Sequence, residues 1–270
     1  MNDREERTKS HMARAAAARG DTFPELALVA ELAPHGSEVM LRLAGYVHAY
    51  EGFTAVDQEL SHPVRVLIVF CVLCSKGEHR LTPNYVRRLY RMGITDAAML
   101  DAAHAMAPFL GYLLVASVAL AIATANSPEY PYGAMPPGGR PQELVTVPEF
   151  SVGGSGDMPG SVLDASELAT IEAIDPGLLQ RAKAFLDYCN SSDRGELTVL
   201  GSGLRETLAV VALCFLRDPV GAGQHIKRAL ACGFSRRRIT EAVACIIPTI
   251  GPVVLLTLAR AFQYADASQP

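Results

Sequence analysis

The chain has 270 residues, half of them hydrophobic and 19% charged, with a formal net charge of −4. That length can bury one large core or two small ones, and the apolar content excludes wholesale disorder. No basic patch and no acidic tail is present, which argues against nucleic acid as a partner.

Taken in chain order, residues 1–21 read as a polar tail. MNDREERTKSHMARAAAARG has no apolar stretch of the kind a signal peptide needs, so a cytoplasmic location is expected. A first helical unit is expected over 22–125. Within it, Thr22 to Tyr50 shows helical periodicity, with Phe23, Leu26, Leu28, Leu32, Met40, Leu43 and Tyr46 as buried candidates. Residues 105–125, AMAPFLGYLLVASVALAIATA, form an uncharged run long enough for a bilayer. The related stretch 245–265 carries Arg260 and Gln263, which suits helices buried in protein, so no membrane role is expected.

Residues 126–160 hold seven Pro and seven Gly and read as an irregular connection between the two units, with Tyr130, Tyr132 and Phe150 available for packing. Only LVTVPEF at 144–150 alternates like a strand. A second helical unit follows over 161–266, with helix from Asp164 to Asn190 broken at Asp175-Pro176. The expected class is all-α.

In the second unit a helix is expected over Leu204–Leu216, with Arg205 and Glu206 at its mouth. Pro219, Gly221 and Gly223 are expected to break it before a second helix, Gln224–Cys232, with His225 in its first turn and Gly233 as its left-handed stop. Ser235 is a good N-cap for a third, Arg236–Ile247. Moving back by 140 residues repeats this layout without a gap. Arg65 falls on Arg205, Cys74 on Cys214, Gly93 on Gly233, Thr95 on Ser235, Asp101 on Glu241, Pro108 on Pro248 and Gly111 on Gly251. One repeat at so long a period reads as a duplicated unit rather than a solenoid. The copies differ at two places: Val66 replaces Glu206, and Tyr85 replaces His225.

This arrangement resembles the carboxymuconolactone decarboxylase-like superfamily, which includes the alkylhydroperoxidase-D-like proteins. The resemblance rests on Arg205-Glu206, the run His225 to Leu230, Gly233 with Ser235, and Pro248 to Gly251. It implies two tandem alkylhydroperoxidase-D-like helical bundles, the first degenerate, assembling as a homo-oligomer such as a trimer or dimer of tandem repeats. The redox members carry Cys-x-x-Cys ahead of the helix histidine; here those positions are Asp218 and Gly221, and Glu78 and Leu81 in the first copy. The decarboxylase branch, as the resemblance implies, uses no metal or organic cofactor. Its pattern assigns His225 as general acid/base and Glu206 as the partner that sets its tautomer.

Candidate substrate contacts are Asp218, Arg217, the backbone at Gly221, and Tyr85 in the histidine's place in the first copy. Each has a plainer reading. His225 is equally a backbone-bonded imidazole, Glu206 a carboxylate favoured by the helix dipole, and Asp218-Pro219 a turn opener. No His or Cys spacing suits a metal.

The expected function is a cofactor-independent lyase or isomerase acting on a small oxo-acid, lactone or polyketide-like substrate. Two alternatives stand beside it. One is a thiol-dependent peroxidase or oxidoreductase using Cys71-x-x-Cys74, which lies seven residues too early for the family motif. The other is a non-catalytic oligomeric small-molecule-binding protein.

Overall fold

The computed structural model describes residues 3–19, 24–48, 58–130, 133, 135, 139–154, 165–191 and 194–267. Among them every regular element is helical and no strand occurs. Three helices, α1 (Asp3–Arg19), α2 (Pro24–Leu32) and α3 (Pro34–Val47), form an N-terminal layer. They precede α4 (His62–Ser75), α5 (Thr82–Arg91), α6 (Asp96–Leu110) and α7 (Leu113–Ala125). A short α8 (Pro148–Ser151) then leads to α9 (Ala165–Ile174) and α10 (Pro176–Asn190). The chain closes with α11 (Ser202–Leu216), α12 (Pro219–Ala231), α13 (Arg236–Ala244), α14 (Ile247–Ile250) and α15 (Val253–Ala267).

Helices α4 and α11 are apolar on every side and lie at the centre. The residues from Val64 to Cys74 and from Ser202 to Cys214 are all buried. A helix without a polar face needs neighbours all round. For α4 these are α5, α6, α7 and α11; for α11 they are α6, α12, α13 and α15. One continuous core contains both halves of the chain, from Leu60 to Ala265. Each fully buried Leu or Phe in it, such as Leu67, Phe70 or Leu208, stabilises the fold by roughly 1.5–3 kcal/mol.

The halves are tied by two largely shielded ion pairs at positions 140 residues apart. Arg65 on α4 bonds to Glu241 on α13, and Arg205 on α11 faces Asp101 on α6. Each carboxylate also accepts two backbone N–H groups from the segment ahead of a central helix. Glu241 Oε2 takes those of Glu59 (3.1 Å) and Leu60 (2.8 Å), and Asp101 Oδ2 takes those of Val199 (2.9 Å) and Leu200 (2.8 Å).

The connection between the halves is partly built into the core. Glu149, itself buried, accepts from the Ser61 amide at the start of α4 (2.7 Å). The next carbonyl, Phe150 O, accepts from Gly201 at the start of α11 (2.6 Å). Gly201 is needed there, since a Cβ would lie 2.5 Å from Val152 O. The 144–150 stretch is therefore no strand; Pro148 opens a single helical turn instead.

Other expectations are corrected. Leu28, Leu32, Met40 and Tyr46 are exposed, and the buried positions are Ala30, Leu41, Ala44 and Val47. The N-terminal layer is one helix deep, so each helix has a single covered face and its remaining apolar residues point outward. Phe23 lies outside the described residues, as do Thr22, Tyr50, Tyr132 and Asp164. The uncharged 105–125 run splits at Gly111, where φ is 85°, into α6 and α7. Among the described residues, no helix is long and apolar enough to cross a membrane.

Candidate active site

α11 and α12 form a tight antiparallel hairpin. Arg217 closes α11 in the left-handed region (φ 63°), and Asp218 N–H returns to Leu213 O at 2.9 Å. Asp218 then caps α12, its Oδ1 accepting from Val220 and Gly221 N–H at 3.0 Å each. Pro219 therefore starts the helix instead of breaking it, because a proline at the first helical position loses no hydrogen bond. This moves His225 from the expected first turn to the seventh residue of α12. Gly223 lets α12 press onto α15: a Cβ there would lie 2.6 Å from the Tyr264 ring and 2.8 Å from Ala261 O.

That seating brings His225 against Glu206. Nδ1 of His225 lies 2.6 Å from Glu206 Oε2, and both side chains are almost wholly shielded, at 2% and 0% exposure. The two residues are nineteen apart in sequence, and the hairpin closes that span. His225 Nε2 and Glu206 Oε1 are both buried with no hydrogen-bond partner in the protein. A carboxylate bonded at Nδ1 favours the tautomer with the proton on Nδ1, which leaves the Nε2 lone pair for another molecule.

A third group comes from the other half of the chain. The Phe109 ring, in the last turn of α6, meets the His225 ring edge-on, with centroids 5.2 Å apart at 86°. Phe109 is half-buried and lies between Pro108 and the C-cap Gly111. Sequence reasoning passed over it; the available signal was an aromatic residue where the second half carries Thr249.

The other sequence candidates lie apart from this pair. Asp218 is about 10 Å from His225 along the helix axis, seven residues at 1.5 Å each. Its carboxylate and the Gly221 amide satisfy each other at the cap. Arg217 is exposed at the hairpin turn, and Tyr85 is half-buried on α5 against the core.

Behind Glu206 lies a second buried polar cluster. Arg194 Nη2 donates to Asp101 Oδ1 (2.6 Å), and Arg205 Nε sits 3.6 Å from the same oxygen. Burial lowers the Arg205 pKa, opposed by the Asp101 charge. Asp101 falls on Glu241 at the 140-residue spacing, and the sequence signal for its role is a pair of acids and a pair of arginines at equivalent places in apolar helices.

Cys71 and Cys74 are buried within α4, and burial pushes the Cys74 thiol up to about 12 and Cys71 well above its ordinary value. A reactive thiolate needs the reverse environment, exposed and close to positive charge. Two surface clefts lie elsewhere. One of about 350 Å³ is lined by Arg7, His11, Arg14, His35 and Glu38; the other, of about 600 Å³, lies between α9 and α10. Among the described residues no group of three or more His, Cys, Asp and Glu side chains is placed to hold a metal ion.

No protein-family model matches the chain, and no curated protein matches it.

Proposed function

We propose that the chain is a tandem-duplicated relative of the carboxymuconolactone decarboxylase-like superfamily and acts as a cofactor-independent lyase or isomerase. The observation that carries this reading is the Glu206–His225 pair, with Nδ1 engaged and Nε2 buried and unmatched. An imidazole held this way is a general base at Nε2; once protonated it is a general acid at the same atom. The substrate is a small oxo-acid, lactone or polyketide-like compound. In a decarboxylation, the bond from carbon to the carboxylate breaks, its electron pair enters a conjugated carbonyl, and CO2 leaves. The Nε2 proton of the imidazolium then goes to the carbon, and solvent restores it. In an isomerisation, Nε2 removes a proton from one carbon and returns it to another.

Support for the duplication comes from the paired geometry at a spacing of 140 residues: Arg65 with Glu241, Arg205 with Asp101, the caps Thr95 and Ser235, and positive φ at Gly93 and Gly233. On this reading the first copy has lost its own acid/base pair and supplies Phe109 to the second. The exposed face of α7, with Leu113 at 80% and Leu120 at 53% exposure, supports assembly with further copies of the chain. Six unpaired cysteines support a reducing, cytoplasmic setting.

The test is a panel of unsaturated lactones and oxo-acids incubated in D2O, with CO2 release and carbon-bound deuterium read by mass spectrometry. Turnover by wild type that falls at least 100-fold in His225→Gln and in Glu206→Gln, with folding retained, supports the proposal. Turnover unaffected by either substitution overturns it.

A further inference from the structure

Arg65 and Arg205 sit at equivalent places on the two central helices, yet only one is fully matched. Arg65 gives Nε to Leu60 O (2.8 Å), Nη1 to Val47 O (2.9 Å) and Nη2 to Glu241. Arg205 gives Nη2 to Cys189 O (2.6 Å), while its Nε and Nη1 have no hydrogen-bond partner. Beside it, Arg194 gives Nη2 to Asp101 and Nε to Ser191 O (3.0 Å), and its Nη1 has none. The side chains of Arg194, Arg205 and Asp101 are all fully shielded from solvent.

The one carboxylate in the cluster has little left to offer. Asp101 Oδ2 is filled by two backbone amides; Oδ1 takes Arg194 and lies 3.6 Å from Arg205 Nε, beyond hydrogen-bond reach. The Glu206 carboxylate, next along α11, bonds to His225 through Oε2, and its Oε1 has no hydrogen-bond partner in the protein. Three guanidinium nitrogens are thus buried without an acceptor, and a buried charged donor left unmatched costs several kcal/mol. Enclosed water would supply an acceptor but no charge. A small anion supplies both.

We propose that Arg194 Nη1 with Arg205 Nε and Nη1 form a buried oxyanion site that takes a small planar carboxylate. Guanidinium groups fit carboxylates in flat, paired geometry, and the full burial of these side chains favours a compact acid. The carboxylate has two possible sources: the acid group of the substrate at His225, or a separate small acid. The site itself stands on the arginines and does not depend on turnover at the dyad.

Formate is the probe. Equilibrium dialysis of the wild-type chain against labelled formate is expected to retain about one equivalent. Thermal unfolding in sodium formate, against sodium chloride at equal ionic strength, is expected to show a saturable rise of about 3 °C or more at tenfold excess over Kd. Both effects are expected to disappear in Arg194→Gln. His225 ring resonances that shift as formate saturates identify the substrate's acid subsite, and unmoved resonances identify a separate acid. No retained formate, or identical unfolding in formate and chloride, overturns the proposal and leaves enclosed water as the occupant.

Discussion

Arg65, on the first central helix, closes onto Glu241 of α13, a residue 176 positions later in the chain. At the equivalent place Arg205 faces Asp101 at 3.6 Å without a hydrogen bond, running from the second half back to the first. The two halves are therefore crossed, each central arginine facing an acid of the other half. Removing one partner leaves a buried charge alone, which costs about 3–5 kcal/mol. Glu241→Gln is expected to fall in that range by urea denaturation, while Glu241→Gln combined with Arg65→Met recovers part of the loss. A change under about 1 kcal/mol would show that the crossing contributes little.

Phe109 reaches the imidazole from the opposite half, so its removal is expected to open His225 without unfolding the chain. Diethyl pyrocarbonate, followed by peptide mass spectrometry, should label His225 at least tenfold faster in Phe109→Ala than in wild type. Phe109→Leu should fall between them. Equal rates in all three proteins would mean that the ring does not cover the histidine.

The thiols give an independent check on the redox alternative. Native Cys71 and Cys74 are expected to react with an aromatic disulfide reagent at least 100-fold slower than in denaturant, because burial holds both protonated. Fast modification of either in the folded protein would restore the thiol mechanism.

Stability is expected to fall as the solution is acidified through the histidine range. Desolvation lowers the pKa of His62 and of His104 below 6.5, so the unfolded chain binds protons there that the folded chain does not. Their contribution is present above the unfolded pKa and is lost as pH falls through the lower folded value. The drop in unfolding free energy from pH 7.5 to 5.5 should be smaller in His104→Asn than in wild type. An unchanged drop would remove His104 from the account.

Much of the helical plan was legible because its signals are local. Thr95 and Ser235 cap as read, accepting from Ala98 and Arg238 N–H, and the break at Asp175-Pro176 holds. The start of α12 was misread because Pro219 and two glycines suggested a break. The Asp218 side chain satisfied the amides that made a helix possible. Periodicity alone points the apolar residues of the N-terminal layer inward, because it finds a face but not what covers it. The pairing of Glu206 with His225 is what the family resemblance implies, and their contact depends on how the α11–α12 hairpin closes. Phe109, Asp101 and Arg194 reach their partners across the core, and no local spacing carries that information.

The central claim is that Glu206 fixes His225 with its proton on Nδ1 and a free lone pair on Nε2. Long-range 1H–15N NMR of the histidine side chains, in wild type and Glu206→Gln at pH 7.5, tests it without a substrate. The expected result is a His225 Nδ1–H tautomer in wild type, and a shift toward the Nε2–H form or a mixture in Glu206→Gln. A His225 protonated on Nε2 in both proteins would contradict the account, because the atom proposed to take a substrate proton would already hold one.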